Sequence, residues 1–344
     1  QYSYLKNKLD YYVAVFQTAN FFNVDYSSLG RLRHYGVQSL FSHPFSKFQR
    51  LDYSISIHNI NYSILKQGYD EWAQIQYETV SESKYSTILP SLSWVYDNSV
   101  FGFTGPIDGF RKNTTFTISP GGKDKLTFQT IKSDIRRYWR FGKDYTSAVR
   151  AFFGKSFGKN KQKFFLGGIP YLLAGGGETD GNDDVSPFRE VLLDTANTSL
   201  IHDLYFTEYS FPLRGARFAE RFGNTTSLFN LEVRFPFINY LALGFPLKVI
   251  FGNIRGHAFM DIGAAWDKPS EFNNGIRYGN NNSSKWPERY GAYDSSDFSP
   301  WVTTIGMGTK INLGYFLLRV ETAWDKNANG YSKPQWYFSL GPDW

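Results

Sequence analysis

The residues with the clearest capacity for chemistry are an Arg-Gly pair in "FPLRGARF" (211–218) and three acidic residues downstream of it. These are Glu232 in "NLEVRFPF", Asp261 in "FMDIGAAWD" and Glu321 in "LLRVETAW". A guanidinium presents a planar fork of donors that fits a carboxylate bidentately, and such a pair is strongest where water is scarce. Gly215, directly after the arginine, lets the backbone turn tightly. On the residues alone, a solvated basic turn accounts for Arg214 equally well. Other chemistries find little support. The five histidines, at 34, 43, 58, 202 and 257, have no ligand spacing. With no cysteine in the chain, thiol catalysis, disulfides and Cys-ligated zinc drop out. Asp52 and His58 share a strand face but lie roughly 20 Å apart along it, so they form no catalytic pair. The glycines at 167, 168 and 175–177 lack the Lys-Ser/Thr and helix context of a phosphate loop. The sequence therefore predicts no enzyme, no metal and no cofactor.

The elements that must position these residues are strands. Aromatics make up 19% of the 344 residues, with 32 Phe, 24 Tyr and 9 Trp, yet no run approaches the roughly 18 apolar residues of a membrane helix. Any membrane crossing has to be made by strands, and an excess of aromatics without long apolar runs fits a transmembrane β-barrel with aromatic girdles. Period-two alternation dominates. In "RLDYSISIHN", Leu51, Tyr53, Ile55 and Ile57 oppose Asp52, Ser54, Ser56 and His58; in "SLFNLEVRFPF", Phe229, Leu231, Val233, Phe235 and Phe237 oppose Asn230, Glu232, Arg234 and Pro236. A greasy, aromatic outer face and a wet inner face distinguish this from a soluble sandwich. Twelve segments follow the pattern, near 8–20, 34–45, 49–64, 86–98, 110–120, 125–141, 145–158, 226–238, 256–267, 302–313, 315–325 and 335–344. "IQYETV" (75–80) is either a thirteenth or the projecting end of a neighbour.

Parity then sorts the acidic residues. Asp261 falls on the inner face with Phe259 and Gly263, while Met260, Ile262 and Ala264 face lipid; Glu232 and Glu321 also fall inward. The Asn-rich stretch 273–297 is a long external loop. The longest piece without alternation is 163–225, which is too long to be a passive connection and is the first place to look for function. The net charge of +6 is dispersed rather than clustered, so no nucleic-acid partner is predicted.

Three blocks of this sequence resemble the bacterial surface antigen superfamily of outer-membrane assembly and translocation proteins, the BamA/TamA-like group. "PLRGARF" is similar to the family's Val/Leu-Arg-Gly-Phe/Tyr loop motif, here Leu213, Arg214 and Gly215, with Phe218 two places later than the usual aromatic and Ala216 in its position. "FMDIGAAWD" resembles the Phe-x-Asp-x-Gly motif, here Phe259, Asp261 and Gly263. "WYFSLGPDW" resembles the family's terminal strand signal, here Trp336, Phe338, Leu340, Gly341 and Trp344. Glu321 stands where the family usually has Asp. Upstream, "SHPFSKFQRLDYS" and "LPSLSWVYDNSVFGFTGPIDGFR" resemble a subgroup with a TolB-like propeller before the barrel.

The resemblance implies an all-β, antiparallel transmembrane barrel of 16 strands, of which 12 or 13 are visible here. The first strands and a periplasmic domain would precede Gln1. It also implies that 163–225 folds back into the lumen, carrying Arg214 toward Asp261, Glu232 and Glu321 and bracing the wall opposite the junction of the first and last strands. The function implied is assembly, insertion or translocation of client polypeptides through a weak first-last strand seam, in contact with outer-membrane lipid. Two other readings stand beside it: a passive barrel or plugged pore anchoring accessory subunits, and a polypeptide exporter.

Overall fold

The computed structural model describes residues 2–4, 10–23, 28–69, 75–122, 125–142, 144–168, 208–210, 213–216, 221–244, 249–274, 300–313, 316–327, 330–332 and 334–341. Twelve long strands run through them: β1 Asp10–Asn23, β2 Ser28–Pro44, β3 Gln49–Tyr69, β4 Ile75–Asp97, β5 Gly105–Gly122, β6 Lys125–Phe141, β7 Tyr145–Gly158, β8 Thr225–Leu243, β9 Val249–Trp266, β10 Trp301–Asn312, β11 Leu317–Asn327 and β12 Gln335–Gly341. Each pairs antiparallel with the next in sequence, and all belong to one sheet. Every segment picked out by alternation overlaps one of these strands. "IQYETV" is the outer end of β4, whose 23 residues extend about 75 Å, well beyond a hydrocarbon layer of about 30 Å.

The alternation has the physical meaning expected of a barrel wall. Val15, Tyr53, Ile55, Ile57, Phe229 and Phe237 are exposed on the outer face, whereas Ser56, Asn230, Glu232 and Arg234 are buried on the inner one. In water such an outer face would be untenable; against lipid tails it is the stable arrangement. Ala264 departs from the parity reading. Parity places it outward, yet it is fully buried; its ladder partner is Trp301. Connections at one end of the barrel are short, at 44–49, 141–145, 243–249 and 312–317, while the two longest, 158–225 and 266–301, lie at the other. Among the described residues, no pairing joins β12 to the N-terminal strands.

The segment 163–225 is not wholly irregular. Phe164–Leu166 pairs parallel with Glu208–Ser210 and antiparallel with Arg221–Gly223, forming a small separate sheet. Leu166, Leu213 and Ala216 from this segment pack with Phe152, Leu228, Ala265 and Val302 of the wall in one apolar cluster. Gly263 makes that close approach possible, since a Cβ there would stand 2.6 Å from Leu166. The described pieces of the loop therefore lie against the inner wall on the side of β7–β10.

Candidate functional site

Arg214 sits at the tip of the inserted loop. Its neighbour Gly215 has φ +92, and an added Cβ would come within 2.9 Å of the Ala323 Cβ. The turn that aims the guanidinium is thus open to glycine and strained for other residues. Leu213 N–H donates to Gly167 O (3.1 Å), and Ala216 N–H donates to Leu213 O (3.2 Å), which fixes the tip against the loop's own base.

The guanidinium is saturated by carboxylates. Nε donates to Asp261 Oδ2 at 2.9 Å and Nη2 to Asp261 Oδ1 at 2.9 Å, a bidentate fork to which the Arg214 backbone N–H adds a third bond at 3.1 Å. Nη1 donates to Glu232 Oε2 (3.0 Å) and to Glu321 Oε1 (3.1 Å). The Phe259 ring lies beneath the guanidinium, 3.5 Å from its centroid, a cation–π contact that also excludes water. Arg214 is 2% exposed, and Asp261 and Glu232 are 0% exposed, so these pairs belong to the buried rather than the solvated regime. Burial opposes the charge on Arg214, but Asp261 above all, with Glu321 and Glu232, holds its pKa well above the usual value.

Several partners were not singled out by sequence. Lys310 Nζ and Arg234 Nε both donate to Glu232 Oε1 at 2.6 Å, His257 Nε2 bonds Glu321 Oε1 at 2.8 Å, and Asn230 Nδ2 donates to Asp261 Oδ1 at 2.8 Å. Arg214, Arg234 and Lys310 therefore face Asp261, Glu232 and Glu321, three cations against three carboxylates, all buried. Alternation does place these residues inward: Arg234 is two positions from Glu232, and His257 is four from Asp261. It does not say which inward residues meet.

The last strand joins the site as well. Tyr337, between outward-facing Trp336 and Phe338, points inward, and its hydroxyl accepts the Gly215 N–H at 2.9 Å. The loop tip consequently rests on β8, β9, β11 and β12, not on the wall opposite the chain's terminal strand as the resemblance implied. The cause is electrostatic: all three carboxylates that draw Arg214 in lie on C-terminal strands. Leu340 is exposed in line with Trp336 and Phe338, and Gly341 closes β12. Phe218 and Trp344 lie outside the described residues, as do Gly175, Gly176 and Gly177 of the glycine run. Among the described residues no group of three or more His, Cys, Asp or Glu could hold a metal.

The Omp85 superfamily domain matches residues 5–344, nearly the whole chain. The chain belongs to the Omp85 superfamily. The motif resemblance is borne out at that level, and the match does not address the propeller-bearing subgroup. The fold of this Omp85 chain is also similar to a crystal structure of BamA from Haemophilus ducreyi lacking POTRA domains 1–3, with a TM-score of 0.56 and 12% identity. The match covers 96% of this chain and 59% of that one. The Omp85 barrel described here thus spans a little over half the length of that structure. No curated protein sequence matches.

Proposed function

We propose that this Omp85 barrel is a non-enzymatic outer-membrane factor that assembles, inserts or translocates client polypeptides through a weak seam beside β12. The observation that carries the reading is the bond from Gly215 N–H to the Tyr337 hydroxyl. It ties the inserted loop to the strand whose other edge has no partner among the described residues. An incoming strand satisfies its backbone groups by pairing with such an edge, which is β-augmentation. The loop then holds β12 in register while its edge exchanges partners, and the folding client supplies the driving energy. The saturated carboxylates support a non-catalytic role, since each already accepts hydrogen bonds from buried cations or amides. A barrel of this class sits in the bacterial outer membrane with its aromatic face in lipid.

Site-specific photo-crosslinking from Trp336, Phe338 and Leu340, all exposed on β12, tests this reading. Crosslinks to nascent barrel proteins or exported chains, lost on adding a non-client precursor in place of clients, are the expected result. Crosslinks to stable subunits alone would instead favour an anchoring barrel and sink the seam reading.

A further inference from the structure

We infer that the hairpin at residues 98–109 is a latch across the short-turn mouth of the lumen, tied through Arg234 and Glu232 to the loop inserted from the other end. The β4–β5 ladder is regular from Ser91↔Thr117 to Asp97↔Arg111, then breaks, and Val100–Gly102 pairs with Gly105–Asp108 as a separate ribbon. The break is built into the sequence. Gly109 has φ +107, and a Cβ there would fall 2.5 Å from Asn98 O. Side chains fix the bend: Asn98 Oδ1 accepts Phe110 N–H at 2.7 Å, and Asp97 Oδ1 accepts Ser99 N–H at 3.0 Å. The ribbon thereby leaves the plane of the wall.

Its partners show where it goes. Arg234 Nη1 donates to Pro106 O at 2.7 Å, and Asn312 Nδ2 donates to Phe103 O. Arg234 is on β8, two strands beyond β6, and meets Pro106 near the ribbon's tip only through the interior. Asn312 ends β10, four strands further along the sheet than β6. Both contacts are chords across the lumen. They continue into the site already described, because Arg234 Nε and Arg214 Nη1 grip the two oxygens of Glu232. One line of hydrogen bonds therefore runs from the loop tip to the opposite mouth. The latch is held by polar bonds rather than by burial: Val100, Phe101 and Phe103 are 54%, 63% and 55% exposed. Bonds of that kind can release without emptying an apolar core.

Because the chain has no cysteine, the full-length protein with Phe103→Cys and Asn312→Cys offers a clean test in outer-membrane vesicles. A short, cleavable thiol crosslinker should join the pair in most molecules. Arg234→Lys keeps a cation on Glu232 but cannot also serve Pro106, and the loss of one charge-assisted hydrogen bond should shift the closed–open equilibrium about tenfold toward open and so lower the yield. Heat-modifiable gel mobility checks that each variant is folded. After reconstitution, the crosslinked barrel should show no openings in conductance traces, and cleavage should restore them. Failure to crosslink while each single cysteine is labelled by maleimide would overturn the latch, as would equal conductance before and after cleavage. An unchanged yield in Arg234→Lys would overturn the hold of Arg234 on the ribbon through Pro106. None of these readouts depends on clients, so the seam reading stands or falls separately.

Discussion

The inner walls of the two halves of this barrel obey the same alternation and use it for different ends. Along β3–β5 several inward pairs are small hydroxyls that satisfy one another across strands: Ser54 with Ser91, Thr87 with Ser119 at 2.6 Å, and Ser93 with Thr115 at 2.8 Å. On the same side, His34 of β2 and His58 of β3 meet at 2.8 Å. Along β8–β12 the inward face also carries buried charges: Glu232 binds Arg234 and Lys310 of the wall, Glu321 binds His257, and Asp261 takes its cation, Arg214, from the loop. Short neutral pairs close locally and leave a smooth wall. A desolvated carboxylate needs a cation of matching reach: Glu232 finds Arg234 and Lys310 within the wall, whereas Asp261 is reached by Arg214 from the loop.

The sharpest way to break this contrast is Arg214→Ala, which strips Asp261 of its cation and takes one donor each from Glu232 and Glu321. Leaving a buried carboxylate uncompensated should cost about 3–5 kcal/mol, read as a lowered midpoint of denaturant unfolding in lipid. The double change with Asp261→Ala should recover a large part of that loss, as coupling within one network requires. If Arg214→Ala is as mild as a rim substitution, the C-terminal wall is no more dependent on its loop than the N-terminal one. A smaller effect is expected of Tyr337→Phe, which removes the acceptor of the Gly215 N–H and leaves that donor buried. A loss of about 1–3 kcal/mol follows, together with faster proteolysis of the loop. No change in either would cut the link between loop and last strand. The smallest effect belongs to the other wall: Ser93→Ala removes one half of a neutral pair and should cost about 1 kcal/mol or less by the same unfolding measurement. A cost matching that of Arg214→Ala would erase the distinction.

Most of the wall was legible from the sequence because a strand's side-chain period is local. Phe229, Leu231 and Val233 against Asn230, Glu232 and Arg234 give both faces without any knowledge of neighbours, and the same parity puts Asp261 and Glu321 inside. The glycine at 215 announced a tight turn, and the turn is there at φ +92. Other features were hidden. Alternation leaves 99–109 between the segments 86–98 and 110–120, but nothing in it foretells a paired ribbon that reaches Arg234 and Asn312. Lys310 and His257 look like any other inward polar residues.

What the sequence by itself determined is therefore which face each residue occupies, that lipid must cover the aromatic one, and that 163–225 is not wall. Only the tertiary structure decided which inward residues meet. Arg214 finds Glu232, Asp261 and Glu321 across separations of 18, 47 and 107 residues, and Gly215 finds Tyr337 across 122. Parity is fixed by the geometry of one strand, whereas such meetings depend on the curvature of the whole sheet and on where a loop of some sixty residues returns. The choice of partner was made by charge: with three carboxylates on the C-terminal strands, the loop had to come to that side.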